Sequence, residues 1–172
     1  MSKEILRIKA ETPTQLYNYV NAKLIGLICE EPDPLANLAN AAALLYLLLD
    51  DLNWAGFYLM RESENALVLG PFQGKPACTR IPLDKGVCGA AARTGEIQIV
   101  PDVHLFPGHI ACDGASASEI VIPLIREGRV LGVLDLDSPT KGRFSAEDGQ
   151  GLSSFVETLH RYVAWDELFA GR

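Results

Sequence analysis

Three cysteines, Cys78, Cys88 and Cys112, share the stretch Leu69 to Ser138 with His104, His109 and a set of acids near predicted strand ends. Each of these cysteines sits in a short polar or glycine-rich context: KPAC, GVCG and HIACD. A thiolate is the form of cysteine that attacks electrophiles and binds metals. Three such groups in one stretch point to thiol chemistry, with cysteines that approach one another in space. Cys88 falls in the first turn of a predicted short helix, where unpaired N–H groups stabilise a thiolate. Cys112 falls in a long loop, within reach of solvent and substrate. A metal reading is weaker. His109 and Cys112 make an H-x-x-C half-site, but Cys78 and Cys88 are too widely spaced for a zinc knuckle. Cys29 ends an amphipathic helix and reads as an inert small hydrophobe.

The second set is acidic. Asp135 and Asp137 alternate along one predicted strand, so they share a face, and Glu119 opens the neighbouring strand. One reading is an edge strand with solvated carboxylates. The other is a pocket that holds a cation, such as an amino group, or supplies a proton. Trp54 and Tyr58 share a strand face and are either core aromatics or the wall of that pocket. His104 and His109 could activate a cysteine as bases, yet no third orienting group is evident, so they read as structural or loop-ordering. His160 lies off the apolar stripe of the last helix and is expected to be solvated. The spacings of phosphate-binding and dinucleotide-binding glycine loops do not occur.

The elements that would position these groups follow from periodicity. Thr12-Pro13 and Asp33-Pro34 each pair an N-cap with a first-turn proline, opening helices that run to about Cys29 and about Leu49. From Asn53 the period changes to two. NWAGFYLMRE and ALVLGPF form a hairpin around Ser63–Asn65. Cys78–Pro82 is a short strand, Gly86–Thr94 a helix of small residues stopped by Gly95, and Ile97–Val100 another strand. Pro101–Ser118 is a long loop of the kind that usually carries function. A second hairpin, Glu119–Arg126 with Arg129–Asp137, turns at Glu127-Gly128. Ser145 begins a capping box and a last helix to about residue 166. Hairpins within a helical frame predict an α+β fold with an antiparallel sheet. One domain over residues 1–172 is expected, with N-terminal helices about 12–50, sheet and loops about 53–138, and the helix last.

Bulk composition narrows the function. The net charge is −7 with 48% apolar and 22% charged residues, and the pI is near 4.9. No basic cluster offers a surface to nucleic acid or to an anionic membrane. The longest uncharged run, Pro34 to Leu49, is shorter than the roughly 18–20 residues of a membrane span. No secretory signal is evident, so a cytoplasmic, reducing setting is expected, where disulfides are transient and catalytic.

Taken together, NWAGFYL, LVLGPFQGKPAC, GVCGAAA, HIACD, SEIVIPL, GVLDLDS and GRFSAED resemble the free methionine-(R)-sulfoxide reductases, a GAF-domain family. The resemblance spreads over about Asn53 to Asp148 and includes the LANAAALLY helix before it. It implies a central antiparallel sheet of about six strands flanked by helices. It also implies reduction of free methionine-R-sulfoxide with thioredoxin as reductant and no cofactor. On that resemblance Cys112 is the nucleophile, Cys78 its resolving partner and Cys88 an auxiliary or alternative resolving thiol. Trp54, Tyr58, Glu119, Asp135 and Asp137 match the substrate pocket. A homodimer through the terminal helices is one arrangement open to such a chain. The rival reading is a GAF module that binds a small ligand or senses redox state without turnover.

Overall fold

The computed structural model describes residues 5–109 and 114–170. Two helices come first, α1 (Pro13–Ile28) and α2 (Pro34–Leu48). The Thr12 hydroxyl accepts from the Gln15 amide and the Asp33 carboxylate from the Ala36 amide, so both N-caps work as the sequence predicts. The strands are β1 (Trp54–Arg61), β2 (Ala66–Gly74), β3 (Arg80–Pro82), β4 (Gln98–Val100), β5 (Ser118–Arg126) and β6 (Arg129–Ser138). Between β3 and β4 lies α3 (Gly86–Thr94), closed by Gly95 in the left-handed conformation. The chain ends with α4 (Ala146–Tyr162) and α5 (Trp165–Phe169).

The strands form one antiparallel sheet in the order β3-β2-β1-β6-β5-β4. The two longest hairpins therefore meet at the centre, where β1 pairs with β6. Side chains alternate between the two sheet faces, and each face buries a separate core. Ala55, Phe57, Leu59, Leu134 and Leu136 face the helices α1, α2, α4 and α5. Trp54, Tyr58, Val121 and Val133 face the other way, toward α3 and Val103. The first core is large and apolar and sets stability. The second is smaller and lies beside the polar groups of the pocket described below.

Four sequence expectations need correction. The edge-strand reading of Asp135 and Asp137 fails because β6 is central, paired on both sides. The third strand begins at Arg80, which leaves Cys78 in the preceding loop. The last helix stops at Tyr162; Val163 turns to extended backbone, and this break lets Trp165 fold back and bury to 1% exposure. Cys29 is exposed, since it follows Ile28 by about 100° around the helix and Ile28 is the residue that points inward. No helix among the described residues is long and apolar enough to cross a membrane.

Candidate functional site

The pairing register builds the site. Trp54 lies opposite Asp137, Gly56 opposite Asp135, and Glu119 opposite Asp137 on its other side. Paired residues point to the same face, so the period-two pattern of three strands gathers Trp54, Tyr58, Glu119, Asp135 and Asp137 on one side of the sheet. α3 then lays Cys88 over them. All of these line one pocket, together with His109, Ser116, Lys75 and the start of α3. The side chains leave about 540 Å³ of space between them, the open mouth included.

One wall is aromatic. The Trp54 ring stacks on Tyr58 with centroids 5.7 Å apart and on Phe72 at 5.3 Å. Gly56 permits this sandwich, because a side chain there would collide with both Phe72 and the Trp54 ring. The Tyr58 hydroxyl donates to the Cys78 carbonyl at 3.0 Å and ties the loop carrying that cysteine to the sheet. Burial and then the charge of Asp135 push the Tyr58 hydroxyl far up, so it stays protonated.

The floor is acidic and buried. Glu119 is 6% exposed, Asp135 5% and Cys88 3%, while Asp137 is half-buried. The Cys88 thiol points at Glu119 Oε1 at 3.8 Å. Burial first, and then Asp135 and Asp137, hold the Glu119 carboxyl well above the ordinary range. Burial also raises Asp135, to about 7, against the lowering effect of hydrogen bonds from Cys88 and Glu119. Both carboxyls are thus held above the ordinary range, by burial first, and Glu119 is also pushed up by its acidic neighbours. The expectation that Cys88 is a helix-stabilised thiolate is overturned. Burial and its two acidic neighbours drive its thiol well up, which outweighs the helix terminus.

His109 is the pocket residue that sequence reasoning set aside. Its Nε2 is 3.8 Å from Glu119 Oε2, with 14% of its side chain exposed. Burial, then His104, lowers its pKa. The only signal was its place three residues before Cys112. His104 itself is exposed and outside the pocket. His160, expected in solvent, is not there. Both its ring nitrogens are buried without a partner, and its ring lies 5.4 Å from that of Trp165. Cys78 is disulfide-bonded, whereas Cys29 and Cys88 are free thiols. Cys112 lies outside the described residues. Two polar atoms on the pocket's lining residues have no hydrogen-bond partner, the Trp54 indole N–H and Asp135 Oδ1. A buried unpaired donor and acceptor at one pocket mark a place for a polar guest.

Comparison with known proteins shows which family the chain resembles. The GAF domain family matches residues 37–163. The chain is 52% identical over 151 residues to the free methionine-R-sulfoxide reductase of Escherichia coli, covering 88% of this chain and 90% of that protein. It is 49% identical to the protein of the same name from Saccharomyces cerevisiae, over 79% of each. A solved free methionine-R-sulfoxide reductase from Neisseria meningitidis, in complex with its substrate, superposes with a TM-score of 0.87 at 42% identity. That superposition covers 92% of this chain and 94% of the other.

Proposed function

The chain belongs to the GAF-domain family and, within it, to the free methionine-R-sulfoxide reductases, and on that premise we propose that it reduces free methionine-R-sulfoxide to methionine. The observation that carries this reading is the buried, proton-holding floor of Glu119 and Asp135 beside thiols and beneath the Trp54–Tyr58 wall.

A sulfoxide sulfur is electrophilic, and its oxygen becomes a leaving base only when protonated. In the proposed sequence the Cys112 sulfur attacks the sulfoxide sulfur while a neutral carboxyl, Glu119 foremost, gives its proton to the oxygen. The oxygen passes to Cys112, methionine leaves, and Cys112 is left as a sulfenic acid. The Cys78 thiol then attacks the sulfenic sulfur, expels water and closes a disulfide, which a dithiol of the thioredoxin type reduces by exchange. Asp137 and Asp135 suit the substrate ammonium, and the aromatic wall suits its S-methyl group. Cys88 has the wrong protonation for a fast nucleophile at neutral pH. Its stronger role in this scheme is as a hydrogen-bond donor to Glu119.

The test is turnover of free methionine-R-sulfoxide with thioredoxin, thioredoxin reductase and NADPH, for wild type and Cys112→Ser. Wild-type turnover that vanishes in Cys112→Ser is expected, while Cys78→Ser should release about one methionine per chain and then stall. A wild type inert toward both epimers, free and peptide-bound, would leave a ligand-binding GAF module instead.

A further inference from the structure

The floor of the pocket has a second chemical character that sulfoxide reduction does not use. Cys88 Sγ, an oxygen of Glu119 and an oxygen of Asp135 all lie within 4.8 Å of one another, and all three residues are buried. Cys88 Sγ and Glu119 Oε1 are 3.8 Å apart. In a tetrahedron built on Zn–S of about 2.3 Å and Zn–O of about 2.0–2.2 Å, neighbouring ligand atoms stand roughly 3.3–3.6 Å apart. A small inward movement of the three side chains is enough to enclose one ion. Asp135 is 5% exposed, and its Oδ1 has no hydrogen-bond partner. This oxygen is an acceptor that the fold leaves unfilled beside a thiol and a second carboxyl.

The geometry points to an inhibitory zinc site: Cys88, Glu119 and Asp135 bind one Zn²⁺ at the bottom of the substrate pocket and exclude the sulfoxide. This rests on reading the pocket as the substrate site. The thiolate is a soft ligand and selects zinc over magnesium or calcium, which prefer all-oxygen shells. Binding expels the thiol proton and whatever protons the two carboxyls hold, so affinity rises with pH. His109 Nε2 stands 3.8 Å from the other Glu119 oxygen, outside hydrogen-bond distance but near enough for a small shift to bring it onto that carboxylate once the ion is bound. The three protein ligands leave a fourth position open toward the pocket mouth, where water or another group completes the tetrahedron. The ion also neutralises the acids that the proposed chemistry needs as proton donors. Zinc therefore competes with substrate and removes the machinery at once.

The experiment uses the full reduced chain, kept with a phosphine reductant that does not chelate metal. Zn²⁺ affinity is read by competition with a chromophoric chelator, and Co²⁺ replaces it to report sulfur ligation through its thiolate charge-transfer band. One Zn²⁺ per chain is expected, with the cobalt band present in wild type and absent in Cys88→Ser. Asp135→Asn, which preserves shape, should weaken zinc by at least about tenfold, in the range that disturbed metal shells show. The double variant Cys78→Ser/Cys112→Ser should still bind zinc and show the band. Added methionine-R-sulfoxide should displace the ion, and magnesium should not. No zinc binding by wild type, a band that survives Cys88→Ser, or zinc lost in the double variant would each overturn the site. Binding without displacement by substrate overturns the inhibitory role. None of these readouts needs turnover, so an inert wild type that binds zinc sinks the reductase reading alone.

Discussion

Glu119 is the residue on which the proposed proton transfer turns, because it combines burial, two acidic neighbours and a thiol donor. Glu119→Gln keeps its size and its hydrogen-bonding ability but removes the proton. The rate of methionine release should fall by about 10²–10⁴-fold, the usual weight of a general acid, with a much smaller change in KM. The wild-type rate should also decline as pH rises past about 7, where Asp135 ionises and its charge makes Glu119 hold its proton more tightly. A Glu119→Gln enzyme within a few-fold of wild type, measured as kcat from pH 5 to 9, would remove Glu119 from the mechanism. That Asp135 and Asp137 share a face was legible from alternation, whereas their grouping with Glu119 in one pocket came with the resemblance. What they experience there was not. Whether a carboxyl is solvated or buried depends on the strand that pairs beside it, and the burial of Cys88 depends on how α3 lies across the sheet. His109 was illegible for the same reason: its value lies in 3.8 Å to a residue ten positions on, a distance no local pattern encodes.

The helices and strands were legible where a chemical signal punctuates them. Proline caps, the Gly95 stop and the Ser145 capping box all appear where the residue types require. The hairpin turn at Glu127-Gly128 puts both residues at positive φ, as a two-residue turn matched to sheet twist demands. The failures lie where tertiary packing decides, as with the break after Tyr162 that seats Trp165. At α4 the capping residue also reaches another element. Asp148 receives the Ser145 amide at Oδ2 and the Tyr17 hydroxyl of α1 at Oδ1, 2.8 Å each. Burial works against its charge, yet the hydrogen bonds from Ser145 and Tyr17 and the nearby Arg143 hold its carboxyl below the ordinary range. Asp148→Ala loses a cap worth about 1 kcal/mol and strands a buried hydroxyl at about 1–3 kcal/mol. Urea unfolding at pH 7 should show a loss of about 2–4 kcal/mol. A depressed pKa stabilises above the ordinary carboxylate range and ceases to do so as pH falls through the folded value, so the deficit should shrink in acid. Tyr17→Phe should share part of the loss; strict additivity of the two changes would mean that the Asp148–Tyr17 bond does not couple α1 to α4.

On the scale of the whole molecule, one sheet separates two tasks. Its helical side buries the large apolar core, and its other side buries acids whose charge the fold disfavours and which the proposed chemistry uses. The cost has a pH signature. Asp135 titrates near 7 in the folded chain against 3.8 ordinarily, so the folded state binds the extra proton between those values. Stability therefore falls as pH rises from about 4 to about 7 and stays low above it. At about 1.4 kcal/mol per pH unit, the penalty approaches about 4 kcal/mol by pH 8. Asp135→Asn cannot ionise and escapes this term. Its unfolding free energy, taken from urea titrations of the reduced chain, should exceed that of wild type at pH 8 by up to about 4 kcal/mol. The gap should close as pH drops toward 4. Stability curves that run parallel across this range would show that Asp135 ionises in the fold without penalty, and the pocket would then hold a carboxylate where the proposed chemistry needs an acid. A variant that is more stable in alkali and slower in turnover would instead identify the strain at the centre of the sheet as the same feature that supplies the proton.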